Sequence, residues 1–179
     1  MNRFWSARCL LLATVFGSLP MLCVTAAAQR PRLSQHGSVS QQIANTKVTI
    51  EYNRPVARGR QLFGSLVPWG RIWNPGADSA TNIAFSTNVQ VNGQTLEAGT
   101  YSLWAEPQQD RWTMIFSRAH PVFHTPYPAG RDALRVPVTP RAGEHMETLS
   151  FYFPVVGGKK AELVLHWGTV VVPLQLEVP

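Results

Sequence analysis

Cysteine is nearly absent from this chain. It has two, Cys9 and Cys23, and both lie near the N-terminus. Everything beyond position 23 is free of thiols, which excludes a disulfide scaffold, a cysteine-bound zinc and a cysteine nucleophile from that part. Sustained helical periodicity is missing too: after the first thirty residues no stretch keeps apolar residues at a 3.6-residue spacing for three turns. No G-x-S-x-G, no H-E-x-x-H and no H-x-H occurs, so the common serine-hydrolase and zinc-hydrolase signatures are not there. Long apolar runs are absent as well, except for the one that opens the chain.

That run, Cys9 to Val24, follows a short stretch carrying Arg3 and Arg8 and precedes Thr25-Ala26-Ala27-Ala28. Positive start, apolar middle and small residues at the end make a secretory signal peptide, with cleavage expected after Ala28. Gly17 and Pro20 interrupt the run, and it falls short of the roughly 20 apolar residues a membrane span needs. Lipidation at Cys23 would want a small residue before it, where Leu22 stands. The expected mature chain has 179 − 28 = 151 residues and no cysteine. A single domain of that size buries roughly 70% of its unfolded surface and can manage without disulfides. Removing Arg3 and Arg8 leaves 14 cations against 10 acids, a net charge of +4. That balance suits anionic partners, while export to the periplasm or the medium rules out nucleic acid.

Residues 29–37 read as a flexible lead, and 38–179 as one domain. Ser38–Ile43 and Lys47–Tyr52 flank a turn at Ala44-Asn45-Thr46, with Val48, Ile50 and Tyr52 on one face. Thr81–Ser86, Val89–Val91, Thr100–Glu106, Arg111–Ser117, Ala133–Val138, Glu147–Phe153, Ala161–Trp167 and Val170–Glu177 follow as strands. Asn92-Gly93 marks a tight hairpin, and Gly157-Gly158 a second turn. The expected fold is all-β: an antiparallel sandwich or flattened barrel of about nine or ten short strands. One segment breaks the rhythm. From Asn53 to Ala80 the chain carries three prolines and four glycines and no clear strand, with one helical turn expected over Gln61–Leu66. Its Leu62, Phe63, Leu66, Val67, Trp69, Ile72 and Trp73 argue for a packed loop over one end of the sandwich.

The runs Thr46–Tyr52, Arg54-Pro55, Arg58-Gly59-Arg60, Leu62-Phe63-Gly64 and Leu66-Val67-Pro68-Trp69-Gly70 resemble a bacterial family known as domain of unknown function 2911. Trp73, Gly76-Ala77, Ala80-Thr81 and Ala98–Leu103 continue the resemblance, as do Asp132–Val136 and Leu163–Trp167, over roughly residues 33–178. Where the family commonly reads W-R-T-G-A-N, this chain has Trp73-Asn74-Pro75-Gly76-Ala77-Asp78. The resemblance implies export and a β-rich domain, and no activity.

Three groups of residues are candidates for a site. Arg54, Arg58, Arg60 and Arg71 with Trp69, Trp73 and Asp78 could hold an anionic sugar or headgroup, since guanidinium groups bind carboxylates bidentately and stack on indoles. The same arginines could instead satisfy loop carbonyls, or pair with Glu51 or Asp78. Among the histidines, His120 and His124 lie in a proline-rich loop that no helix can traverse, and a metal is not expected. Trp104, on the face opposite Tyr101 and Leu103, is either a sugar-stacking platform or a residue covered by the long loop. The favoured reading is a non-enzymatic exported module that binds an anionic small molecule, a glycan or an envelope partner through Arg54, Arg58, Arg60, Trp69, Arg71, Trp73, Asp78, Trp104 and His124. No cofactor is expected. The alternatives are a small hydrolase or metal-assisted enzyme using His124, His145 and His166 with Asp132 or Glu147, and a purely structural envelope module.

Overall fold

A computed structural model describes residues 33–179, so the expected signal peptide, its cleavage site and the lead up to residue 32 lie outside the described residues. The described chain forms ten strands. β1 (Gln35–Ile43), β2 (Thr46–Arg54), β3 (Asn82–Phe85), β6 (Gly99–Pro107), β7 (Trp112–Ser117) and β8 (Asp132–Val138) make one six-stranded sheet in the order β1-β2-β3-β6-β7-β8. β4 (Val89–Val91), β5 (Gln94–Leu96), β9 (Arg141–Gly157) and β10 (Lys160–Glu177) make the second, in the order β5-β4-β10-β9. Every pairing is antiparallel, and the sheets stay open at their edges, so the fold is a sandwich and not a closed barrel. There is no helix among the described residues, and hence none long and apolar enough to cross a membrane.

Alternation explains most of this. Val48, Ile50 and Tyr52 of β2, Ile83 and Phe85 of β3, and Tyr101, Leu103 and Ala105 of β6 face inward and meet Leu163, Leu165 and Trp167 of β10. Asn92 and Gly93 both have positive φ, 46° and 78°, which a two-residue hairpin between β4 and β5 requires. The first hairpin closes as tightly. Ile43 pairs with Thr46, leaving Ala44 and Asn45 as the turn, and β1 begins at Gln35 inside the expected flexible lead.

β10 departs most from the expected pattern. Ala161–Trp167 and Val170–Glu177 are one continuous strand, not two, with register shifts on either side of Gly168. Before the bulge odd-numbered residues face the core, as in Leu163, Leu165 and Trp167. After it the even-numbered Val172, Leu174 and Leu176 do. An extra residue in one strand exchanges its faces, and this break in parity makes one strand look like two. Gly168 has φ +58°, and a Cβ there would stand 2.8 Å from Leu62 Cδ1, so the bulge is also the seat on which the long loop docks.

That loop, residues 55–81, crosses the end of the sandwich. Leu149 N–H donates to Pro55 O (2.9 Å) and Ala57 N–H to Glu147 O (2.8 Å), tying its start to β9. Trp73 and Ala105 exchange both main-chain bonds at 2.8 Å, tying its far part to β6. In between, the expected helical turn over 61–66 does not form. Val67 N–H instead closes on Leu62 O (2.8 Å) and Gly64 N–H on Val67 O (2.9 Å), a compact turn that sends Leu62, Phe63 and Val67 into the core. Residues 72–80 and 119–127 then form a partial third layer over the outer face of β6 and β7, where Ala80, Trp104 and Ile115 are buried with Ile72, Val122 and Tyr127. Tyr127 hydroxyl, Asp132 and Arg135 join to pin this cover, Arg135 Nε lying 2.7 Å from Asp132 Oδ2. Burial first, and the bond to Asp132 second, push the Tyr127 hydroxyl pKa up.

Candidate functional site

The aromatic residues of the loop gather around Phe63. Its ring lies 4.9 Å from Trp112, 6.1 Å from Trp73 and 6.2 Å from both Trp69 and Trp167, edge-on to all but Trp69, against which it stacks. Trp73 and Trp167 stack on each other at 6.0 Å. Of the five tryptophans among the described residues, Trp104, Trp112 and Trp167 are buried and Trp73 is partly so. Trp69 alone is exposed, at 37%. Its indole stacks against Phe63 and packs beside Gly64, where a Cβ would come within 2.6 Å of Trp69 Nε1. Gly64 also has φ +82°, a conformation L side chains avoid at roughly 1–2 kcal/mol. Gly64→Ala is therefore expected to cost about 1–2 kcal/mol in chemical denaturation and to shift the intrinsic emission of the folded protein as Trp69 is lifted. An unchanged spectrum with unchanged stability would contradict this packing.

Trp69 lines two concavities. One, of about 340 Å³, lies between the loop and the bulge of β10 and is lined by Arg60, Gln61, Phe63, His145, Trp167 and Thr169 around Trp69. The other, of about 510 Å³, lies between Trp69 and the β6–β7 turn, Gln108 to Arg111. Small-ligand sites run roughly 300–1,000 Å³. Main-chain bonding holds the two walls together, with Gly70 N–H donating to Pro107 O at 2.8 Å.

The arginines do not converge on an anion. Arg54 donates from Nε to Leu149 O (3.2 Å) and from Nη2 to Ser150 Oγ (2.8 Å). Arg60 donates to Ala57 O (2.9 Å) and Val56 O (2.6 Å), and Arg58 to Leu33 O (3.2 Å). Arg71 is exposed at the far side of the turn. Asp78 has φ +59° and presents its main-chain carbonyl to His124, which donates from both its N–H (2.9 Å) and its Nδ1 (2.7 Å). That pair fastens two loops of the third layer together. Trp104 is no surface platform: it is 1% exposed beneath Tyr127, and its Nε1–H donates to Ser102 Oγ at 2.8 Å. Of the residues singled out from sequence, Arg60 and Trp69 line the groove, and Trp73 supports it through Phe63 and Trp167. Of the other wall residues, Gln61, Thr169 and the 108–111 turn went unnoticed, and His145 entered only the enzymatic alternative. They come from four separate stretches of chain, and no linear spacing connects them.

Histidines and carboxylates are similarly dispersed. No three or more His, Cys, Asp or Glu among the described residues could hold a metal together. His166 is buried, its Nε2 donating to Glu144 O (2.9 Å) and its Nδ1 facing Tyr152 hydroxyl (3.1 Å). His145, at the groove's rim, is bonded through Nε2 to Glu147 Oε2 at 2.9 Å, while Glu147 Oε1 accepts from Arg58 N–H at 2.7 Å. The His145 bond first, and the Arg58 N–H second, hold the Glu147 carboxyl below the ordinary glutamate range. A carboxyl whose pKa folding lowers stabilises the fold above its unfolded pKa, and that contribution disappears as pH falls through the folded value. Glu147→Gln is thus expected to lower stability at pH 7 and to lose less than the wild type between pH 7 and about pH 3. Urea midpoints at the two pH values measure this, and parallel losses would contradict it.

The fold and its end groove define an all-β sandwich capped by an aromatic loop. Residues 34–176 match the family model described as Protein of unknown function (DUF2911), and the chain belongs to that family. No curated protein and no solved structure matches it.

Proposed function

We propose that this protein is an exported, non-enzymatic binding module that holds a glycan in the groove beside Trp69. The observation that carries this reading is Trp69 itself: an indole stacked on Phe63 and packed beside Gly64 that stays 37% exposed and lines a groove with a polar rim. A sugar ring offers an apolar C–H face to such a surface and hydroxyls to its edge, where Gln61, His145, Thr169 and Arg60 stand. An anionic small molecule is the weaker ligand, because Arg54, Arg58 and Arg60 are engaged by main-chain carbonyls. The leader-like N-terminus supports the exported part of this reading, with the module in the periplasm or outside the cell.

Thermal shift and intrinsic fluorescence against a panel of neutral and uronate-containing saccharides test the reading. At least one neutral saccharide is expected to raise the melting temperature, and Trp69→Ala to weaken its binding at least about tenfold, or 1.4 kcal/mol. Equal binding by a folded Trp69→Ala variant would remove the groove from consideration.

A further inference from the structure

We propose that the ligand is a neutral linear chain of at least two sugar units that crosses Trp69, with one unit in the groove beside β10 and the next on the β6–β7 turn. The inference rests on the glycan reading and adds to it a second subsite, an occupancy and a charge class.

Trp69 lines both concavities, so a chain that crosses its exposed surface passes from one to the other. Nothing bulky separates them at the following position, because residue 70 is glycine with φ +70°. Its missing Cβ would stand 3.6 Å from Gln108 Nε2. The bond from Gly70 N–H to Pro107 O, and that from Gln108 N–H to Arg111 O (3.0 Å), fix the turn against the loop and set the second subsite at a constant distance from the first. Each concavity has the size of a small-ligand site by itself. A single sugar ring would occupy part of one and leave the other hydrated.

The chemistry of the turn fits a second sugar. Gln108, Gln109, Asp110 and Arg111 present two amides, a carboxylate and a guanidinium, all planar groups with two hydrogen-bonding atoms at fixed spacing, which matches a pair of neighbouring hydroxyls. All four are exposed, and Gln109 and Asp110 have no hydrogen bond or ion pair with any described residue. Asp110 and Arg111 carry opposite charges, and on the other side the cationic Arg60 is offset by the carboxylate of Glu147, the partner of His145. The path across Trp69 therefore carries little net charge, which selects a neutral chain over a uronate one.

Isothermal titration of the purified full-length protein with saccharide ladders tests this. The probes are glucose to cellotetraose, glucose to maltotetraose, N-acetylglucosamine to chitotetraose, and galacturonate to its tetramer. One neutral ladder is expected to gain at least about tenfold in affinity from one unit to four. In Gln109→Ala/Asp110→Ala, affinity for the tetramer is expected to fall to within about twofold of that for the single sugar. Affinity independent of length, or a double variant that keeps the length advantage, overturns the second subsite and leaves the glycan reading in place. Tighter binding of the galacturonate ladder overturns the neutral class. Failure of the wild type to bind any of the four ladders overturns both proposals.

Discussion

Phe63→Ala is expected to destabilise the protein by about 3 kcal/mol, the lower end of the range for removing a core phenylalanine, since this ring is only partly buried. In a domain of this size that corresponds to a fall in melting temperature of roughly 6–12 °C. The magnitude follows from position. Phe63 touches Trp69, Trp73, Trp112 and Trp167, and so joins the loop to β7 of one sheet and β10 of the other. Its loss leaves a cavity at the meeting point of both sheets, which aromatic neighbours cannot collapse to fill. The same change removes the surface on which Trp69 lies, so groove binding should fall along with stability. A loss below about 1 kcal/mol would mean that the loop is held by its main-chain bonds alone.

Asn74→Ala is expected to cost about 2–4 kcal/mol, for a different reason. Asn74 is 1% exposed, and both ends of its amide are engaged: Nδ2 donates to Leu103 O at 2.7 Å, and Oδ1 accepts from Thr81 N–H at 3.2 Å. Alanine would leave a buried carbonyl and a buried N–H without partners, at about 1–3 kcal/mol each, with partial relief from relaxation. Packing around the amide is close, since a Cβ at Gly76 would sit 3.1 Å from Asn74 Oδ1 and 2.6 Å from Thr81 Oγ1. Hydrogen exchange offers a second readout. Amide protection should drop at Thr81 and across the third layer while the β2 core stays protected. Uniform loss of protection would contradict a local anchor.

The legible parts of this protein were those written in a local period. Val48, Ile50 and Tyr52 alternate without interruption, and Asn92-Gly93 has backbone requirements few other pairs meet, so the buried face of β2 and the turn after β4 could be read directly, while the three-residue β5 was not foreseen as a strand. β10 could not, because the bulge at Gly168 exchanges the buried parity within one strand. Trp104 could not be resolved either: its strand face was clear, but the cover over that face comes from residues 72–80 and 119–127, distant in sequence. The loop was visible as an aromatic, arginine-rich interruption, and Trp69 with it. Whether its arginines were available to a ligand depended on where the carbonyls of residues 33, 56, 57 and 149 came to lie, and composition does not specify that. The second wall of the site, the 108–111 turn, meets Trp69 only through tertiary structure.

The indole N–H resonances of the described tryptophans test the central claim most directly. During titration with the saccharide that binds best, the Trp69 indole signal should move progressively and saturate, while those of the buried Trp104 and Trp112 stay in place. A Trp69 signal that does not respond to any saccharide, or a response confined to tryptophans away from the groove, would contradict the account.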